Sequence, residues 1–372
     1  MTNDHVKSSK ALKGMAQKGL NGLIVYSNGT CQIVRPNYLH YFSEFKPMGS
    51  RNAAILSRSG ESVLLVEPEW DVPRAKKKSW IRDPRGTSHF LKDLKGILGE
   101  FKIKGPVGVA GLKEMTQEVY ALLQKEIQMQ PADDLIEEIA REKSARELEI
   151  VRKAAGIADL GFEALLEHAR EGVREYELAA EMEFAMRSAG AEDVFDLMES
   201  GKHSQGMHSP TDRKLKRGDV VLAEITPVCE GQVIQLCRTV VLGTPSDTLV
   251  EKYNMLLRSL EESLKPMKAG APASVIAVAM NNVLRDAGYG DYCNPPYMRT
   301  RGHGFGAGSV APGAEIDEGM KVSLERDQVI VVHPNQYLPE TGYLACGETV
   351  LVTDTGIERL ARTETKLYIK ER

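Results

Sequence analysis

The chain has 372 residues, 27% of them charged, and a formal net charge of −4. That length exceeds the ~250–300 residues at which a single core stops growing, so two domains are expected. The balanced charge leaves no basic footprint for nucleic acid, and no run approaches the ~18 apolar residues of a membrane span.

The polar amino terminus, Met1-Thr2-Asn3-Asp4-His5, leads into a Lys-bearing segment without the apolar run of a signal peptide, so a cytoplasmic protein is expected. Five cysteines, Cys31, Cys229, Cys237, Cys293 and Cys346, show no metal-binding spacing and read as reduced, mostly buried thiols. In chain order, apolar spacing predicts a helix over 6–18, a buried strand over 20–26 and a short aromatic helix over 37–45. Strands follow at 52–56, 62–66 and 106–110, then a helix over 115–125. Strands alternating with helices predict an α/β layer domain over 1–134, ending at the polar Pro131-Ala132-Asp133-Asp134.

The second domain, 135–372, opens on Ser144-Ala145-Arg146-Glu147, a capping box whose hydroxyl and carboxylate satisfy each other's orphan backbone N–H groups. Leu148, Val151, Ala155, Ala158, Phe162 and Leu165 then follow helical spacing as a core stripe. Further helices are expected over 175–189, 247–264 and 273–287, with strands at 328–332 and 349–352. Helices wrapped on a strand-rich centre predict an α+β domain.

The chemistry centres on 201–241. His203 and His208 sit in a Gly/Ser-rich loop that feeds the turn Pro210-Thr211-Asp212. Val220 to Thr226 reads as a mostly buried strand carrying one carboxylate, Glu224; Glu230-Gly231 marks a turn, and 233–241 returns as a second strand. An acid on a strand beside a histidine loop is a site arrangement.

Six motifs in one order then carry a resemblance: 142–152, Pro210-Thr211-Asp212-Arg213, Lys216-Arg217-Gly218-Asp219-Val220-Val221-Leu222, Arg238-Thr239 with Gly302-His303-Gly304-Phe305-Gly306, His333-Pro334, and Glu348-Thr349-Val350-Leu351-Val352-Thr353. Together they resemble the pita-bread family of creatinase, aminopeptidase P and prolidase. The resemblance implies an α+β chain with an N-terminal creatinase-type α/β domain and a C-terminal pita-bread catalytic domain. The family's metallopeptidases hold two metal ions on two Asp, one His and two Glu. In this sequence those positions fall on Glu224, Gln235, His303, His333 and Gly347, so one histidine alone is unchanged. Glu325 and Glu348 lie close in sequence as substitutes, and His303, His333 and Glu224 could form a single-ion set.

Two ions need several anions, so the resemblance points to the family's metal-free branch, with no metal and no cofactor. The expectation is a creatinase-like or ectoine-hydrolase-like enzyme that cleaves a non-peptide C–N bond in a small carboxylate-bearing amidine, guanidine or amide. The family's catalytic histidine falls on His208, which can take and return a proton near neutrality. The two glutamates that grip creatine fall on Cys237 and His333, which disfavours creatine itself and leaves Glu224 as the main anion. Cys237 is a second candidate nucleophile.

Arg299, where the peptidases carry another histidine, and Arg301 are candidates for binding a substrate carboxylate, with Gln235 and Tyr343 shaping the pocket. A further pocket histidine is replaced by Val310. Arg51 matches an arginine that reaches a partner's site in creatinase-like dimers, implying a homodimer with composite sites. Two other classes stay open: a metal-dependent Xaa-Pro peptidase or dimethylsulfoniopropionate-type lyase, and a non-catalytic binding protein.

Overall fold

The computed structural model describes residues 5–29, 37–306, 308–310 and 315–371, with backbone alone at 306 and 308–310. The expected thiol Cys31 and the Val310 side chain lie outside what is described. Two compact units divide between Ala140 and Arg141, with Gly306–Gly308 grouped with the first.

The first unit contains α1 (Val6–Gln17), β1 (Gly22–Ser27), α2 (Tyr38–Ser43), β2 (Asn52–Ser57), β3 (Ser62–Val66), α3 (Val72–Lys78), β4 (Pro84–Gly86), α4 (Phe90–Glu100), β5 (Pro106–Ala110), α5 (Gln117–Glu126) and β6 (Gln128–Pro131); α6 (Asp133–Arg141) closes it. The strands form one mixed sheet in the order β4-β3-β2-β1-β5-β6. Ile24 of β1 lies opposite Ile55 of antiparallel β2 and Val109 of parallel β5. Every residue of β1 is buried, which explains its unbroken apolar run: a central strand covered on both faces has no polar side to show. The polar Pro131-Ala132-Asp133-Asp134 stretch is the end of β6 and the start of α6, where two aspartates favour the helix N-terminus.

The second unit begins with α7 (Ala145–His168). Its capping box is formed, Ser144 Oγ accepting from Glu147 N and Glu147 Oε2 accepting from Ser144 N at 2.9 Å. Then come α8 (Glu175–Ser188), β7 (Asp193–Gly201), β8 (Val220–Cys229), β9 (Gln232–Val233), β10 (Leu236–Leu242), α9 (Asp247–Leu264), α10 (Ser274–Asp286), β11 (Gly302–Gly306), β12 (Gly308–Val310), β13 (Val329–Val332), β14 (Gln336–Leu338), β15 (Gly342–Leu344), β16 (Glu348–Val352), β17 (Ile357–Arg359) and β18 (Leu367–Lys370). One sheet runs β18-β10-β8-β7 with β9 on β8, and a second runs β12-β11-β13-β16-β17. The expected return strand is broken: β9 ends at Val233 and β10 starts at Leu236, so Ile234 and Gln235 leave the ladder. The reversal before it uses Glu230 and Gly231 at φ 45° and 77°. A core of Leu222, Tyr253, Leu256, Leu260, Ile276 and Val332 fills the space beneath α9 and α10. No helix among the described residues is long and apolar enough to cross a membrane.

Candidate functional site

Strand periodicity places the site. Leu222, Glu224 and Thr226 share one face of β8, and Glu224 lies directly opposite Leu197 on β7 and Cys237 on β10. The break after β9 turns Gln235 onto that face, where its Nε2 donates to Glu224 Oε1 at 2.7 Å and to Thr226 Oγ1 at 3.2 Å. The Cys237 thiol points at the other carboxylate oxygen from 3.8 Å and receives Asn335 Nδ2 at 3.6 Å.

The second sheet meets this face at Gly347, whose backbone pairs with that of Cys237. A Cβ at Gly347 would stand 2.7 Å from the His333 Cβ and 3.2 Å from the Cys237 Cβ. His333 follows β13, and its ring lies 5.6 Å from that of His303 on β11, tilted by 67°. The five positions singled out from sequence, 224, 235, 303, 333 and 347, therefore converge in space.

Burial governs the electrostatics. It pushes the Glu224 carboxyl up to about 7, with the Arg299 guanidinium opposing. The carboxylate keeps a solvent-facing edge, yet dense neighbours strip most of its hydration. Burial brings His303 down to about 4 and His333 to about 3, Arg299 adding to the first and His303 to the second, so both imidazoles are neutral near pH 7. Burial, and then Glu224, drives the Cys237 thiol well above its ordinary range. Cys237 is thus a protonated thiol directed at a carboxylate, the reverse of an imidazole-activated thiolate. The Tyr343 phenol is also raised by burial and by Glu224.

The other candidates divide. His208 stands at the rim, its side chain 51% exposed, with Nδ1 at 2.8 Å from the Ser209 carbonyl and Nε2 at 3.7 Å from Glu199. Glu199 lies opposite Leu222 and so shares the face of Glu224. Arg299 is exposed while acting electrostatically on both Glu224 and His303. Arg301 is fully buried, its Nε held by Asn281 Oδ1 at 2.8 Å and its Nη2 by Gln336 Oε1 at 3.0 Å. Those contacts make it a brace, and its carbonyl receives the His333 N–H. Arg51, in the first unit, is gripped by both oxygens of Glu67 at 2.7 and 3.0 Å and by Glu118 at 2.8 Å. Asn335 and Glu199 are site residues the sequence reading did not single out. A Pro-Asn pair after a buried strand and an acid within a half-buried strand were the available signals.

The metal ions implied by the resemblance do not fit this donor set. Gly347 offers neither a side chain nor space for one, Glu224 Oε1 is engaged by Gln235, and among the described residues no three His, Cys, Asp or Glu side chains converge to hold an ion. The sequence-adjacent substitutes point elsewhere: Glu325 pairs with Arg141 at 2.9 Å, and Glu348 forms a buried pair with Arg238 at 2.8 Å. No chemical step is therefore routed through metal.

Comparison with known proteins follows from this geometry. Residues 149–354 match Metallopeptidase family M24, and residues 7–141 match the Creatinase/Prolidase N-terminal domain. An Xaa-Pro dipeptidase of Pyrococcus horikoshii is 28% identical over 370 residues, covering 98% of this chain and 99% of its own. Another, from Pyrococcus furiosus, is 28% identical over 339 residues, covering 90% and 94%. The solved prolidase of Pyrococcus horikoshii OT3 superposes with a TM-score of 0.84 at 25% identity, covering 98% of this chain and all 100% of that one.

These relatives overturn the expectation of a metal-independent, creatinase-like hydrolase of non-peptide C–N bonds. They are named for cleaving Xaa-Pro dipeptides, and they match across almost the whole chain. The physical reason is that a replaced ligand reports what a site can hold; it carries no information on which scissile bond the cleft admits.

Proposed function

Because the chain belongs to metallopeptidase family M24 and carries a creatinase/prolidase N-terminal domain, we propose that it is a peptide-bond hydrolase acting on dipeptides of the Xaa-Pro class. The observation that carries this reading is full-length similarity to two Xaa-Pro dipeptidases, joined to a pocket at the positions where the family does its chemistry. Glu224, titrating at about 7, takes a proton from the attacking water and returns it to the departing imino nitrogen, the two transfers amide hydrolysis needs. The exposed Arg299 grips the substrate carboxylate in bidentate fashion, and the Tyr343 hydroxyl, kept protonated by burial, donates to the carbonyl oxygen as charge develops there.

The test is release of proline from an Xaa-Pro panel, with the protein as purified and after addition of Mn2+. Turnover is expected, with kcat/KM rising through about pH 7 as Glu224 ionises. Glu224→Gln should lower kcat by about 10²–10⁴. Absence of both proline release and dipeptide binding would sink the proposal.

A second reading, a protein that binds dipeptides without cleaving them, is favoured by one observation: Glu224 is the one carboxylate at the five converging positions. Tight binding without turnover under either condition selects it. A dimer completed by Arg51, as the resemblance implies, is a further part of the proposal that light scattering checks.

A further inference from the structure

Resting on the dipeptide reading above, a finer question is which end of the ligand meets Gln235. This side chain is 5% exposed, and both hydrogens of its amide are spent on Glu224 and Thr226. Its backbone is clamped as well: the N–H donates to Thr349 Oγ1 at 3.0 Å, and the carbonyl accepts from the same hydroxyl at 2.6 Å. The remaining atom, Oε1, is buried without a hydrogen-bond partner, and so is Nδ1 of His333, a residue 6% exposed. Buried polar atoms in native proteins are nearly always paired, and a bare one calls for a missing partner. Turning the Gln235 amide over does not remove the difficulty, because two acceptors, Gln235 Oε1 and Glu224 Oε1, would then face each other.

The chemistry of the missing partner follows from what these atoms can accept. Gln235 Oε1 is an acceptor only, the Glu224 carboxylate is an acceptor, and His333 is a neutral imidazole whose Nδ1 is a lone-pair acceptor in one tautomer. An anion finds no donor here; a primary ammonium group, with three N–H donors, finds three acceptors. The cationic Arg299 suits the opposite, carboxylate end of the same ligand.

We propose that Gln235 Oε1, together with Glu224 and His333 Nδ1, binds the primary ammonium group at the amino end of the dipeptide directly, at the positions matching the family's metal ligands. A cation placed against Glu224 favours its ionised form, so ligand binding expels the proton that the carboxyl holds at neutrality.

The experiment is titration calorimetry on the full chain at pH 7, in two buffers of different ionisation enthalpy. The probes are the non-hydrolysable ketomethylene isostere of alanylproline and its N-acetyl derivative. The free-amine probe should bind at least about tenfold more tightly than the acetylated one, the scale of a hydrogen bond to a charged group. It should also release about half a proton, Glu224 titrating at about 7. Gln235→Leu should weaken the free-amine probe to the level of the acetylated one and leave the latter unchanged. Gln235→Glu, which keeps an acceptor in place, should retain the preference. Equal binding of the two probes by the parent protein overturns the inference and leaves the peptidase reading standing. Binding of neither probe, with no proline release from any dipeptide, overturns both.

Discussion

At Glu224 burial and hydrogen bonding pull in opposite directions. The strand buries the carboxyl and favours its neutral form, while the Gln235 amide and the Arg299 field favour the charged one. The balance near neutrality is what a proton carrier needs. His208 is a different case, because its side chain is half exposed and its nearest acid, Glu199, is 3.7 Å away. An exposed pair of that kind contributes at most about 1 kcal/mol, so His208→Ala should raise KM up to about fivefold and leave kcat almost unchanged. Steady-state kinetics decide this: a collapse of kcat at constant KM would move His208 from the rim into the proton-transfer step. Sequence alone identified Glu224, His303 and His333. It gave no means of telling that His208 stands at the edge, because exposure depends on what the strand beside it carries.

Among the elements, β10 and β16 hold the site together through one buried ion pair. Arg238 is fully buried and donates to Glu348 at 2.8 Å, to the Gly347 carbonyl at 2.6 Å and to the Thr363 carbonyl at 2.9 Å. Glu348→Ala would strand that guanidinium without its counter-charge, and removing one partner of a buried pair costs about 3–5 kcal/mol. Urea unfolding should show that loss; an unchanged midpoint would mean the carbonyls suffice. Gly347 is constrained differently. A Cβ there meets the His333 and Cys237 Cβ atoms at 2.7 and 3.2 Å, so Gly347→Glu, which would restore a family metal ligand on paper, should lower the melting temperature and confer no Mn2+ binding by calorimetry. Overpacking of this kind typically costs about 1–3 kcal/mol. The capping box of α7 was readable because its two residues are three apart; the clash at 347 was not, because its partners lie 14 and 110 residues away.

Across the whole molecule, the site's titrations act on folding with opposite signs. His303 and His333 lie below the ordinary imidazole value of 6.5, at about 4 and 3. The unfolded chain therefore binds more protons there, and their contribution to stability is present above 6.5 and lost as pH falls. Glu224 lies above its ordinary 4.5, at about 7, so its contribution is present below 4.5 and lost as pH rises to 7. The two effects offset each other within the same window. Glu224→Gln removes the carboxyl's share, so its stability relative to the parent should improve from pH 5 to pH 8 in denaturant titrations. A difference independent of pH would show that Glu224 titrates alike in both states.

The sequence by itself determined the local and the repeated: the buried run of β1, the capping box of α7, the spacing of α9 and the order of motifs that places the chain in its family. These signals survive in one dimension because each depends on neighbours within a few turns of helix or one strand. Tertiary structure alone decided that 224, 235, 303, 333 and 347 share one pocket, that Gly347 has no room for a ligand, that Glu348 turns to Arg238, and that Arg301 is a brace. Those facts depend on which strands lie side by side and which faces they share, and pairings set by the packing of distant segments leave no periodic trace in the chain.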